Sequence, residues 1–193
     1  MPRVKLFDEN KVLSKATELF WKKGYHATSI QDLVNHLGIN RGSLYDTYGG
    51  KKKLFDKAFQ LYRTTNSNDV AAFFENQNEV KNGFRALFEM GINESISDKD
   101  KKGCFVVNTT TELIPGEKEL LEILQENKKI FERLFYNFLL KGQQSGEISK
   151  SKNIKTISHL FYTFYNGLKV VAKVQSEPKE LLNSVDEILM LLD

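Results

Sequence analysis

The chain of 193 residues has one cysteine, three prolines and three histidines. With Cys104 alone, no internal disulfide and no four-cysteine zinc site can form. His26, His36 and His159 are scattered without metal-ligand spacing, so no metal and no cofactor is expected. Long apolar runs are missing too, and the opening "MPRVKLFDEN" has charges where a secretory leader needs an apolar stretch. That excludes a membrane partner and predicts a cytoplasmic protein. Strict two-residue alternation is absent, which removes the strand signal.

What remains is a helical sequence with an uneven charge distribution. Residues 1–63 contain 12 Lys and Arg against 6 Asp and Glu, while the remainder has 16 against 19. A basic head on a mildly acidic body suits a head that meets a polyanion, although lysine-rich surface helices also serve solubility alone. Caps and apolar periodicity predict helices from about Asp8 to Gly24, from Thr28 to Gly38, over a short stretch from Arg41, and from Lys51 through Tyr62. Further helices are predicted over 68–77, either separate from or continuous with the fourth, and over 79–97, 101–113, 117–144, 154–174 and 178–192. Thr28 and Gln31 have capping-box spacing. Breaks are predicted at residues 97–100, at Pro115-Gly116, at Ser145-Gly146 and at Pro178. The fold class is therefore all-α, with a helix-turn-helix domain over residues 1–50 and a helical body over 51–193.

The segment "TSIQDLVNHLGINRGSLYDTYGGKKKLF" has the pattern of two short helices joined by a glycine turn, the geometry that lays its second helix in the DNA major groove. Leu33, Val34, Leu37, Ile39 and Leu44 would form its small core. That leaves Asn40, Arg41, Gly42, Ser43, Asp46 and Thr47 facing outward. Arg41 suits a guanine edge or a phosphate, and spacing does not choose between them. Of Tyr45 and Tyr48, one would pack inward and the other send its hydroxyl to a phosphate. Gly49-Gly50-Lys51, with two more lysines, opens the fourth helix as an anion site, and Thr28 offers a matching contact at the start of the second. A helical hairpin with a glycine turn also occurs in bundles that never meet DNA.

Residues 16–55, "ATELFWKKGYHATSIQDLVNHLGINRGSLYDTYGGKKKLF", resemble the N-terminal domain of the TetR family of bacterial transcriptional regulators. The matching features are ELF-x-x-x-GY, TSI, GI-x-RGSLY and K-x-x-LF. The resemblance implies DNA contacts by Thr28, Arg41, Gly42, Ser43, Tyr45, Thr47 and Lys51, the last with Tyr45 on phosphates. Two departures are visible, because the family often has histidine where Thr47 stands and proline where Gly49 stands.

Ten of the 14 phenylalanines fall beyond residue 63, at helical spacings that suit a packed core or a pocket wall. The resemblance implies a small-molecule cavity between the middle helices. Candidate lining residues are Phe88, Cys104, Asn108, Phe131, Phe135, Tyr162, Tyr165 and Asn166. A buried asparagine such as Asn108 either ties helices together or binds a ligand, the tying role being preferred. The apolar stripes of the last two helices are too wide for one buried face, which predicts a homodimer through them, as the family's members dimerise. The resulting expectation is a homodimeric repressor on a palindromic double-stranded DNA operator, released by an unidentified small molecule. An activator or partner-controlled regulator is the alternative. An enzyme is disfavoured because His159 has no visible carboxylate partner and Cys104 no histidine at a readable spacing.

Overall fold

The computed structural model describes residues 7–114, 116–175 and 177–193. Residues 1–6 of the charged opening and Pro115, read above as a break, lie outside the described residues. Within them the chain is helical, without strands: α1 Glu9–Lys23, α2 Ile30–Leu37, α3 Arg41–Tyr48, α4 Lys51–Glu75, α5 Val80–Ser97, α6 Phe105–Leu113, α7 Lys118–Ser145, α8 Ile154–Val171 and α9 Lys179–Leu189, closed by a 3-10 turn Met190–Leu192.

The head folds because each short helix is capped by its own sequence. Asp8 accepts from the amides of Asn10 and Lys11 at the start of α1, and Asn40 accepts from Ser43 at the start of α3. The capping box of α2 is a correction to the expected pairing. Ser29 and Asp32 form it reciprocally, while Gln31 donates to Asn35 on the exposed face. Val12, Ala16, Phe20, Leu33, Leu37, Leu44, Phe55 and Phe59 bury the inner faces of α1–α4 in one cluster, with Phe20 set edge-on to Phe55 at 5.2 Å. Phe105, Leu113 and Leu120 join it from α6 and α7.

Helix α4 is continuous, and its second half enters a different core. Val70 and Phe74 pack with Phe84, Leu87, Phe88, Phe135, Phe138 and Phe161 in a cluster shared by α5, α7, α8 and α9. One rigid helix thus runs through both cores. The N-terminus of α5 lacks a cap of its own; Glu147, beyond α7, accepts from the amides of Val80 and Lys81 at 2.8 and 2.7 Å. Arg85 holds α9 through Asp186 at 2.9 Å.

The expected start of α6 at 101 is corrected to Phe105, because Lys101 (φ 51°) and Gly103 (φ 64°) take left-handed conformations that keep 101–103 out of the helix. His159 also has a carboxylate partner after all: Glu132, 27 residues earlier on α7, lies 2.7 Å from its Nδ1. That distance in sequence hid the pair.

Candidate nucleic-acid interface and effector cleft

Helix α3 buries Leu44 and Tyr48 and turns the rest outward. Asn40, Arg41, Gly42, Tyr45 and Asp46 are exposed, and Ser43 and Thr47 are half-buried. Tyr45 is 45% exposed and lies i+4 from Arg41, whose guanidinium sits 6.0 Å from the ring centroid. Tyr48 is the tyrosine that packs inward. Its hydroxyl donates to the Glu9 carbonyl at 3.1 Å and ties α3 to the start of α1, so it is corrected from contact residue to scaffold.

The two glycines after α3 do different jobs. Gly49 (φ 75°, ψ 18°) ends α3 in the left-handed conformation, and Gly50 (φ 106°) turns the chain into α4. A Cβ on Gly50 would stand 3.3 Å from Cε1 of Tyr45, so the Tyr45 ring lies against the opening of α4. No side chain caps α4, which leaves its first amides and its positive dipole end beside the Tyr45 ring. Lys51 lies 4.4 Å over the Tyr25 ring, and burial pulls its ammonium below the ordinary lysine range. Lys52 pairs with Asp56 at 2.7 Å, whereas Lys53 is exposed.

Thr28 is corrected as well. It is fully buried, and its hydroxyl donates to the Gly24 carbonyl at 2.6 Å. The start of α2 is occupied by its own carboxylate: the Ser29 hydroxyl and amide, with Lys23, hold Asp32 far below the usual carboxylate range. The uncapped start of α4 therefore has no free side-chain counterpart at Thr28.

A cleft of about 760 Å³ opens where α1, α4, α5, the 98–103 loop and α8 meet. Tyr165 is the one expected ligand residue on it. Cys104, Phe131, Tyr162 and Asn166 line, with Tyr165, a narrow recess of about 10 Å³ beside it. Phe88 and Phe135 are fully buried in the body core, and the Asn108 amide donates to the Lys102 carbonyl at 2.7 Å, a bond to the loop before its own helix rather than a tie between two helices. Sequence reasoning missed Trp21, Tyr62, Met90 and Lys169. The one available signal was Lys169, a charge next to Leu168 on an otherwise apolar helical face.

The cleft touches the head directly. Trp21 of α1 packs edge-on to Tyr62 at 5.0 Å and donates to the Gly103 carbonyl at 2.9 Å. From the far end of the same loop and α6, Glu112 accepts from the amides of Tyr25 and His26 at 3.1 and 2.7 Å, gripping the turn between α1 and α2.

Residues 12–58 match the model of bacterial regulatory proteins of the tetR family, and residues 82–186 match that of the tetracyclin repressor-like C-terminal domain. The chain belongs to the TetR family. An uncharacterized HTH-type transcriptional regulator of Bacillus subtilis, YezE, is 36% identical over 100% of both chains. The HTH-type transcriptional repressor ComR of Escherichia coli is 28% identical, covering 98% of this chain and 90% of its own. The same TetR fold recurs in a cysteine mutant of the regulator CifR complexed with 26bp double-strand operator DNA, with a TM-score of 0.87 and 24% identity over 99% of this chain and 100% of that one. No helix among the described residues is long and apolar enough to cross a membrane.

Proposed function

We propose that this TetR-family chain is a homodimeric transcriptional repressor that reads a palindromic double-stranded DNA operator and is released from it by a small molecule in the cleft. The observation that carries the reading is the outward face of α3 beside the uncapped start of α4, with Tyr45 bridging the two. Arg41 and the short polar residues around it suit base edges, and Tyr45, Lys51 and the α4 amides suit phosphates. Residues 1–50 act as the reading head and 51–193 as the ligand-binding and dimerisation body, with α4 shared between their cores.

Release follows from what lines the cleft. Trp21 is a residue of the head, and the loop carrying Lys102 and Gly103 leads into the helix that holds Tyr25 and His26. An occupant that shifts the Trp21–Gly103 contact moves α1 and α6 together, and so changes the spacing of two heads on one operator. A coupling of about 1–3 kcal/mol would weaken DNA binding roughly 5- to 150-fold.

Fluorescence anisotropy against DNA from beside the protein's own gene, with random duplex as competitor and two salt concentrations, tests the reading. Competitor-resistant binding that weakens steeply with salt is expected. No preference for any sequence, there or in a selection from random duplexes, would sink it.

A further inference from the structure

We infer that the cleft takes a small organic monoanion with an apolar body, its negative charge paired with Lys169. The assignment deepens the effector reading and rests on it for its regulatory consequence alone.

Lys169 is 8% exposed, and no carboxylate stands within ion-pair distance of its ammonium among the described residues. Its nearest recorded partner is the face of Tyr165, with Nζ 4.0 Å from the ring centroid. Burial alone lowers a lysine's proton affinity, but Tyr165, Cys104 and Glu94 outweigh it here and the net shift is upward. Lys169 thus places a buried ammonium against the face of Tyr165 in the wall of the cleft. A buried charge without an opposite partner is costly to a fold, and an anionic occupant removes that cost.

The surrounding groups narrow the class. Gly91 lies inside α5, where a Cβ would stand 3.3 Å from the Tyr165 ring and 3.8 Å from Cε of Lys169. Its bare backbone lets both side chains approach the cleft floor. Trp21, Tyr62, Phe73 and Met90 supply apolar wall. Lys102 at the mouth is neutralised by Asp98 at 2.9 Å, while Asp69 and Glu94 are exposed carboxylates on the rim. A deep cation behind an acidic rim admits one buried negative charge and opposes a polyanion such as a nucleotide.

Anilinonaphthalene sulfonate and its uncharged counterpart phenylnaphthylamine share a ring system and differ by the sulfonate, so together they isolate the charge. Trp21 is the chain's one tryptophan and lines the cleft, so energy transfer from it reports a probe bound there. One probe per chain is expected, with the sulfonate preferred by about tenfold or more. Lys169→Met should erase the preference while leaving the uncharged probe's affinity unchanged, and Lys169→Arg and Lys102→Met should both keep it. Equal affinity of the unaltered protein for the two probes overturns the assignment even if Lys169→Met fails to fold. So does a preference that survives Lys169→Met or disappears in Lys102→Met. Probe binding needs no DNA: a sulfonate preference that leaves operator binding untouched keeps the ion site and removes only its effector role.

Discussion

At the residue scale, Arg41 and Tyr45 separate the two kinds of contact expected of a reading helix. Both are exposed and neither belongs to the head's core, so removing their polar ends should leave the fold intact. Arg41→Ala is expected to cost about 1–3 kcal/mol of operator binding. If Arg41 reads a guanine, the loss falls on the operator and spares random duplex. A phosphate contact would instead weaken both alike and flatten the salt dependence. Tyr45→Phe removes one hydroxyl and should cost about 1 kcal/mol on any sequence. Anisotropy titrations of both variants, with circular dichroism to confirm folding, check this; unchanged affinity in both would remove α3 from the interface. Thr28 and Tyr48 carry the opposite lesson. Spacing alone places each beside DNA, but each hydroxyl is satisfied internally: Thr28 donates to the Gly24 carbonyl four residues back, and Tyr48 to the Glu9 carbonyl that only the three-dimensional path of the chain brings near.

At the scale of elements, the helices were legible wherever a cap residue met an apolar stripe. Asp8, Gly24 and Gly38 each stand where the sequence predicts an end. What was not legible depends on neighbours distant in sequence. Glu147 caps α5, and Glu112 reaches back over 80 residues to the turn before α2. The cleft was misplaced for a related reason, since an aromatic stripe serves core and pocket alike: Phe88 and Phe135 went to the core, and the open space fell between α4 and α5 instead. Glu112 is also where coupling between the cores can be tested. Gly24 (φ 82°) leaves the space its carboxylate occupies, since a Cβ there would lie 2.8 Å from Oε2. Glu112→Ala leaves the Tyr25 and His26 amides without their acceptor. With the carboxylate only half-buried, a loss of about 1–2 kcal/mol in urea unfolding is expected. Faster hydrogen exchange at those two amides should accompany it. Protection unchanged at both amides would show that α6 does not hold the head.

At the scale of the whole molecule, the last two helices leave apolar surface that the chain itself does not cover. On α8, Ile154, Ile157, Phe161 and Leu168 face the core, while Leu160, Val170 and Val171 are between 43% and 49% exposed. Gly167 stands among the latter with open space where a Cβ would be, and Met190 and Leu191 continue the exposed surface beyond α9. Single exposed apolar residues need no explanation, but a stripe on adjoining helices suits a second copy packed against it as a four-helix bundle. Two heads joined this way would bind one duplex as a bivalent unit. Leu160→Glu with Val171→Glu, both outside the core cluster, should leave each chain folded yet place four carboxylates in that seam. Sedimentation should then show monomers, and operator affinity should fall by about 100-fold or more as the second head's effective concentration is lost. A variant that stays dimeric would move the interface off α8, whereas a monomer with undiminished affinity would mean that one head suffices for the operator.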